Sequence, residues 1–179
     1  MIIGLDISTN VVGIALLNID GSLHLLEHVD LEKTRTGLFD KANVVKDRLN
    51  NIKEKCIIDY IFIEEALVKF RPGKSSASTI STLLKFNGIC SYISEEVFSK
   101  RPVFILAPHA RKVCGITIDK KTKKAIGVKT IVMNHVVQML GEKFEILRTR
   151  TGSVKPTTYD RADAFVTAYA GYKEFCTSR

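Results

Sequence analysis

Apolar and polar positions along this chain separate into strand-like runs and helix-like periodicities. Ile2–Ile7 is a short apolar run that reads as a buried strand, and Val11–Ile19 as a second. Asp20-Gly21 marks a hairpin turn, because Gly accepts positive φ without steric cost, so Ser22–Val29 is expected to return as a third strand. Leu38, Ala42, Val45, Leu49 and Ile52 then recur at helical spacing and predict an amphipathic helix over residues 37–54. Ile57–Glu64 reads as a fourth strand ending in adjacent acids. A Pro- and Ser-containing loop over residues 69–78 leads to a long helix over 78–98.

Ile80, Leu83, Leu84, Phe86, Ile89, Cys90, Ile93 and Val97 cover more than one stripe of that helix. Such a helix needs cover on two sides, from its own sheet and from a second subunit. Val103–Ala107 predicts the fifth strand, and Pro108 opens a short helix through Val113. Asp119–Lys124 reads as a basic turn, residues 126–140 as a helix, 145–157 as a polar, basic connection, and the last helix begins near Tyr159. Three meander strands followed by helix–strand–helix–strand and closing helices describe one α/β domain over residues 1–179, with a five-stranded mixed sheet.

Composition narrows the class. At 179 residues, 45% hydrophobic and a mean hydropathy of +0.07, the chain has enough apolar material for a real core and too much for disorder. No apolar run approaches the length of a membrane span. The opening Met1-Ile2-Ile3-Gly4 has neither a basic n-region nor a cleavage site, so no signal or transit peptide is expected, and a cytoplasmic location is. Cys56, Cys90, Cys114 and Cys176 lie far apart without metal-ligand spacing, and read as core residues or free thiols in a reducing compartment. His24 and His28 would stand roughly 13 Å apart on one strand face, too far to share one ion.

Charge changes the picture more. The net +8 is uneven: residues 1–100 carry 12 basic and 13 acidic side chains, residues 101–179 carry 15 and 6. A basic half of this kind suits a polyanion, most simply nucleic acid, or is a solvated lysine-rich face.

Four acids are unusually placed. Asp6 interrupts the first apolar strand, Glu64 closes the fourth beside Glu65, and Asp160 and Asp163 stand three apart near the start of the last helix. A carboxylate in a central strand is costly to bury without a cation or hydrogen bonds. Asp160 also admits a simpler explanation, since Thr157-x-x-Asp160 has the form of a capping box. Together the four supply the hard oxygen ligands preferred by Mg²⁺ or Mn²⁺. Two such ions held by several carboxylates, beside a basic surface, constitute phosphodiester-cleaving chemistry.

These residues resemble a known family. Ile3-Gly4-Leu5-Asp6-Ile7-Ser8-Thr9 with Val12-Gly13 looks like the opening of the RuvC-type Holliday junction resolvases, of the ribonuclease H-like superfamily. Asp59-Tyr60-Ile61-Phe62-Ile63-Glu64 is similar to their second motif, and Asp160-Arg161-Ala162-Asp163-Ala164 to their D-x-x-D-A signature. The resemblance implies a ribonuclease H-like fold. It also implies Asp6, Glu64, Asp160 and Asp163 as ligands of two Mg²⁺ or Mn²⁺ ions, with Glu64 ahead of Glu65. The family's basic residues fall on Lys112 and Lys129, next to the scissile phosphate. Leu67 stands where family resolvases carry a junction-opening aromatic, with Phe70 three residues on. Residues 141–157 look longer and more basic than the bacterial form, which suggests a phage or viral branch.

The expectation is therefore a homodimeric, Mg²⁺-dependent endonuclease resolving four-way DNA junctions by paired nicks that leave 5′-phosphates, dimerising through the helix over 78–98. Its expected DNA contacts are Lys69, Phe70, Arg71, Lys74, Arg111, Lys112, Lys120, Lys121, Lys123, Lys124, Lys129, Arg148, Arg150 and Lys155. A ribonuclease H-like or YqgF-type enzyme acting on structured RNA or RNA–DNA hybrid shares the same metal chemistry. A non-catalytic branched-DNA module would keep binding without nicking, and an incidental basic face would give no preference for branches.

Overall fold

The fold is described from a computed structural model, for residues 1–34, 37–66 and 77–177. Strands β1 (Ile2–Ile7), β2 (Val11–Leu17) and β3 (Leu23–Asp30) form the antiparallel meander. Strand β4 (Tyr60–Glu64) runs parallel to β1, and β5 (Val103–Ile105) parallel to β4, in the order β3-β2-β1-β4-β5. The five-stranded mixed sheet is thus the expected one. Helices α1 (Leu38–Lys53), α2 (Ala77–Phe98), α3 (Ala107–Val113), α4 (Lys120–Ile126), α5 (Val128–Leu140) and α6 (Pro156–Gly171) complete it.

Several boundaries differ from the expected ones, each for a local reason. Strand β2 stops at Leu17 because Asn18 already belongs to the turn: Gly21, at φ +83°, donates to the Asn18 carbonyl, and Asp20 accepts from Ser22. Strand β4 starts at Tyr60, where the ladder with Ile2 begins, while Ile57 lies exposed. Ala107 opens α3 and so leaves β5 only three residues. The basic stretch after Asp119 is a helical turn rather than a loop, since the Asp119 carboxylate accepts from Thr122 N at 2.9 Å and caps α4. Helix α6 begins at Pro156, three residues before Tyr159.

Strand alternation divides the core into two layers. Ile3, Leu5, Ile7, Val12, Ile14 and Leu16 point to one face, where Ala42, Val45, Leu49 and Ile52 of α1 and Phe86, Cys90, Ile93 and Val97 of α2 cover them. Ile2, Ala15, Leu17 and Phe62 point to the other, under Ala164, Phe165 and Ala168 of α6, Ala110 of α3, and Val132 and Val136 of α5. Helix α2 buries its inner side only; Leu84 and Tyr92 remain exposed on it, Tyr92 at 70%. All four cysteines are free thiols. Burial pushes the Cys90 and Cys114 thiols up to about 12, so they stay protonated as core residues. Among the described residues no helix is long and apolar enough to cross a membrane.

Candidate active site

Strand register sets two of the carboxylates side by side. Asp6 shares its face of β1 with Ile2 and Gly4, and Glu64 shares its face of β4 with Phe62. The parallel ladder pairs Gly4 with Phe62 and Leu5 with Ile63, so the next step brings Asp6 level with Glu64. Across the other edge of β1, Asp6 pairs with Gly13 of β2.

Helix α6 carries the other two acids onto this spot because two glycines let it sit close. A Cβ on Gly13 would stand 2.2 Å from the Asp160 carbonyl oxygen, and one on Gly4 would stand 2.5 Å from the Ala164 carbonyl oxygen. Any side chain there would lift the helix from the sheet. Asp160 and Asp163, less than one turn apart, therefore face the sheet where Asp6 and Glu64 end it. Asp160 lies in the second turn of α6, whose N-cap is Lys155, so the capping-box explanation for it falls away.

The electrostatics are those of an overcrowded acid cluster. Asp160 and Asp163 are buried; Asp6 and Glu64 are half-buried. Burial, with Glu64, Asp163 and Asp160 around it, holds the Asp6 carboxyl well above the usual range. Burial and Asp163 raise Glu64 to about 7, against the opposing pull of Arg111 and Lys129. Asp163 is raised by its burial as well, with Arg111 and Lys129 again opposing.

Two cations answer these acids. Lys129, from the first turn of α5, places Nζ 3.3 Å from Asp160 Oδ1, and Arg111, from α3, places Nη2 3.8 Å from Asp163 Oδ1. Burial works against the Lys129 charge, but Asp160 and Asp163 outweigh it and hold its pKa above the ordinary lysine value. Two positive groups against four carboxylates leave a deficit that a hard dication fits, and the donors are all oxygens. Among the described residues, however, no group of three or more His, Cys, Asp or Glu side chains is arranged to hold a metal ion.

The remaining expected site residues are distributed as follows. Lys112 is exposed and makes no ion pair with the acids among the described residues, whereas its neighbour Arg111 reaches Asp163. The signal was present in the sequence: Ala107, Ala110, Arg111 and Cys114 fall at i, i+3, i+4 and i+7, the inward face of α3. Glu65 is exposed, so Glu64 is the acid of that pair in the cluster. Lys120, Lys121, Lys123 and Lys124 lie exposed on α4, which joins α5 through Gly127 just before Lys129. Arg148, Arg150 and Lys155 are exposed ahead of α6. Leu67, Lys69, Phe70, Arg71 and Lys74 lie outside the described residues. Sequence reasoning passed over Asn87 of α2, whose Nδ2 stands 3.5 Å from the Glu64 carbonyl oxygen.

No protein-family model and no curated protein matches this chain. Solved structures do. RuvC of T. thermophilus in complex with a Holliday junction substrate superimposes with a TM-score of 0.63 at 14% identity, covering 96% of this chain and 91% of that one. A further Thermus thermophilus RuvC structure gives 0.62 at 13% identity, with 96% and 92% covered. Both come from a bacterium and lend nothing to the expected phage or viral branch. Likeness at this identity speaks for architecture: the chain has the RuvC, ribonuclease H-like fold.

Proposed function

We propose that the protein is a metal-dependent endonuclease that cuts branched DNA and resolves four-way junctions. The observation that carries this reading is the gathering of Asp6, Glu64, Asp160 and Asp163 at one end of β1 and β4, with Lys129 and Arg111 against them. In RuvC of T. thermophilus the same fold is seen with a Holliday junction substrate.

The four carboxylates would hold two Mg²⁺ or Mn²⁺ ions, which when bound supply an activated water and charge stabilisation for phosphodiester hydrolysis. The chain's own residues do the rest. Asp160 and Asp163 are fixed by a buried helix, so their oxygens keep their spacing without paying entropy at binding. Lys129 is 61% exposed beyond its contact with Asp160, and is placed to hold a phosphate oxygen once Asp160 is engaged elsewhere. Arg111 restrains Asp163 through its ion pair.

A two-fold junction is served by two copies of the chain, and the bare outer side of α2, with Leu84 and Tyr92, is the proposed contact between them. Purified protein should nick a synthetic four-way DNA junction on opposing strands in Mg²⁺, leaving 5′-phosphates. Linear duplex and RNA–DNA hybrid serve as the comparison substrates. Equal cleavage of hybrid and junction would move the activity to the ribonuclease H-like alternative. Junction binding without nicking would reduce the protein to a binding module.

A further inference from the structure

The connection between α5 and α6 is a built hairpin. Arg148 and Val154 pair as an antiparallel bridge, Thr149 N donates to the Ser153 carbonyl at 2.7 Å, and Lys155 N donates to the Leu147 carbonyl at 2.8 Å. Gly152, at φ +85°, closes the turn by donating to the Thr149 carbonyl at 3.0 Å. Ile146 and Val154 pack onto the core beneath α6. Helix α6 grips the base of the hairpin: Thr158 Oγ1 donates to the Leu147 carbonyl at 3.2 Å, and Arg161 Nη1 donates to the Glu145 carbonyl at 3.2 Å. Arg161 Nη2 also donates to the Leu26 carbonyl of β3 at 3.3 Å, and its guanidinium lies over the Phe144 ring. A buried arginine is thus used to bolt the hairpin to the helix that carries Asp160 and Asp163.

Its two arginines have different employments. Arg148 Nη1 donates to the Gly152 carbonyl at 2.8 Å and shapes the turn from inside. Arg150 sits at the exposed tip and makes no hydrogen bond or ion pair within the described residues. A rigid hairpin that presents an unpaired guanidinium, with the exposed Lys155 at its base, is complementary to a run of phosphates. The reach is bounded by the chain. Asp160 lies about 7.5 Å of helix rise beyond Lys155, and Arg150 at most roughly 16 Å of extended chain before it. At about 3.4 Å per base pair this corresponds to up to seven base pairs of duplex.

We infer that the hairpin over residues 147–155 is a second nucleic-acid contact that grips the backbone of a duplex arm within about seven base pairs of the cut. The inference rests on the nuclease reading above and adds a contact fixed to the helix bearing two of the acids.

The test is binding of a four-way DNA junction in EDTA, titrated with salt, with linear duplex of equal length as competitor. Arg150→Ala should weaken junction binding several-fold and lower the salt slope by about one, and Arg150→Lys should restore the slope. Neutral methylphosphonates placed within about seven base pairs of the crossover should weaken the wild type by a larger factor than Arg150→Ala, which has already lost one of the contacts they remove. Wild-type preference for the junction, with Arg150→Ala equal to it in affinity and slope, overturns the hairpin assignment alone. Absence of any wild-type preference for the junction overturns the nuclease reading and this inference with it.

Discussion

Gly13 lies directly beneath the Asp160 carbonyl, so close that a Cβ on the glycine would stand 2.2 Å from that oxygen. Because Gly13 is also the ladder partner of Asp6, one missing side chain sets the distance between a strand-borne and a helix-borne acid. The closeness of α6 to the sheet is therefore part of the site and not only of the core.

Gly13→Ala should lower stability by about 1–3 kcal/mol, since overpacking forces the helix outward. It should also remove cleavage at temperatures where the variant is still folded. Denaturant unfolding and a junction-nicking assay, run on the same preparation, check both. An alanine variant with normal stability would mean that the helix gives way freely.

The acid cluster should destabilise the metal-free protein at neutral pH. The folded-state pKa values of Asp6, Glu64 and Asp163 are raised, so the native state binds more protons than the unfolded chain. Stability is full below the ordinary carboxylate range and is lost as pH rises through about 7, the value for Glu64. Asp6→Asn should accordingly raise Tm in EDTA at pH 8 and change it little at pH 4. Mg²⁺ or Mn²⁺ should raise the wild-type Tm at pH 8, and do so much less for Asp6→Asn. Thermal scans at the two pH values read all of this.

Arg111 and Lys112 are neighbours with opposite prospects. Removing Arg111 leaves buried Asp163 without its ion-pair partner, so Arg111→Ala should cut the rate by about 10²-fold or more. Lys112→Ala, at an exposed position of α3, should change cleavage only through modestly weaker binding. Single-turnover kinetics separate the rate from the binding effect.

Helix α2 should carry the contact between two copies. Tyr92→Glu, which places a charge on its bare side, should shift sedimentation to a monomer and turn paired nicks into single, uncoupled ones. A wild-type protein that sediments as a monomer at working concentration would remove this contact from the account.

Much of this architecture was legible in the sequence because strand alternation and helical periodicity are local signals. Ile2–Ile7 appears with the expected bounds, and Ala42, Val45, Leu49 and Ile52 are the buried face of α1 as their spacing predicts. The four acids were legible from their placement, since Asp6 interrupts an apolar strand, Glu64 closes one, and Asp160 and Asp163 stand three apart on the last helix. What escaped was set by contacts between distant segments. Nothing near Gly13 announces that Asp160 will lie upon it. The hairpin over 147–155 combines short polar stretches whose pairing depends on Arg161 and Thr158 beyond it. Lys112 was preferred to Arg111 by motif position, although the inward face of α3 favours Arg111.

The central claim is that Asp6, Glu64, Asp160 and Asp163 cut DNA as a set with bound dications. Its most direct measurement is nicking of a four-way junction by the wild type, Asp6→Asn and Asp163→Asn, in Mg²⁺ and in EDTA, with junction binding measured in parallel. The account predicts nicking by the wild type in Mg²⁺ only, none by either variant, and junction binding retained by all three. Full nicking by Asp6→Asn in Mg²⁺, or by the wild type in EDTA, would contradict it.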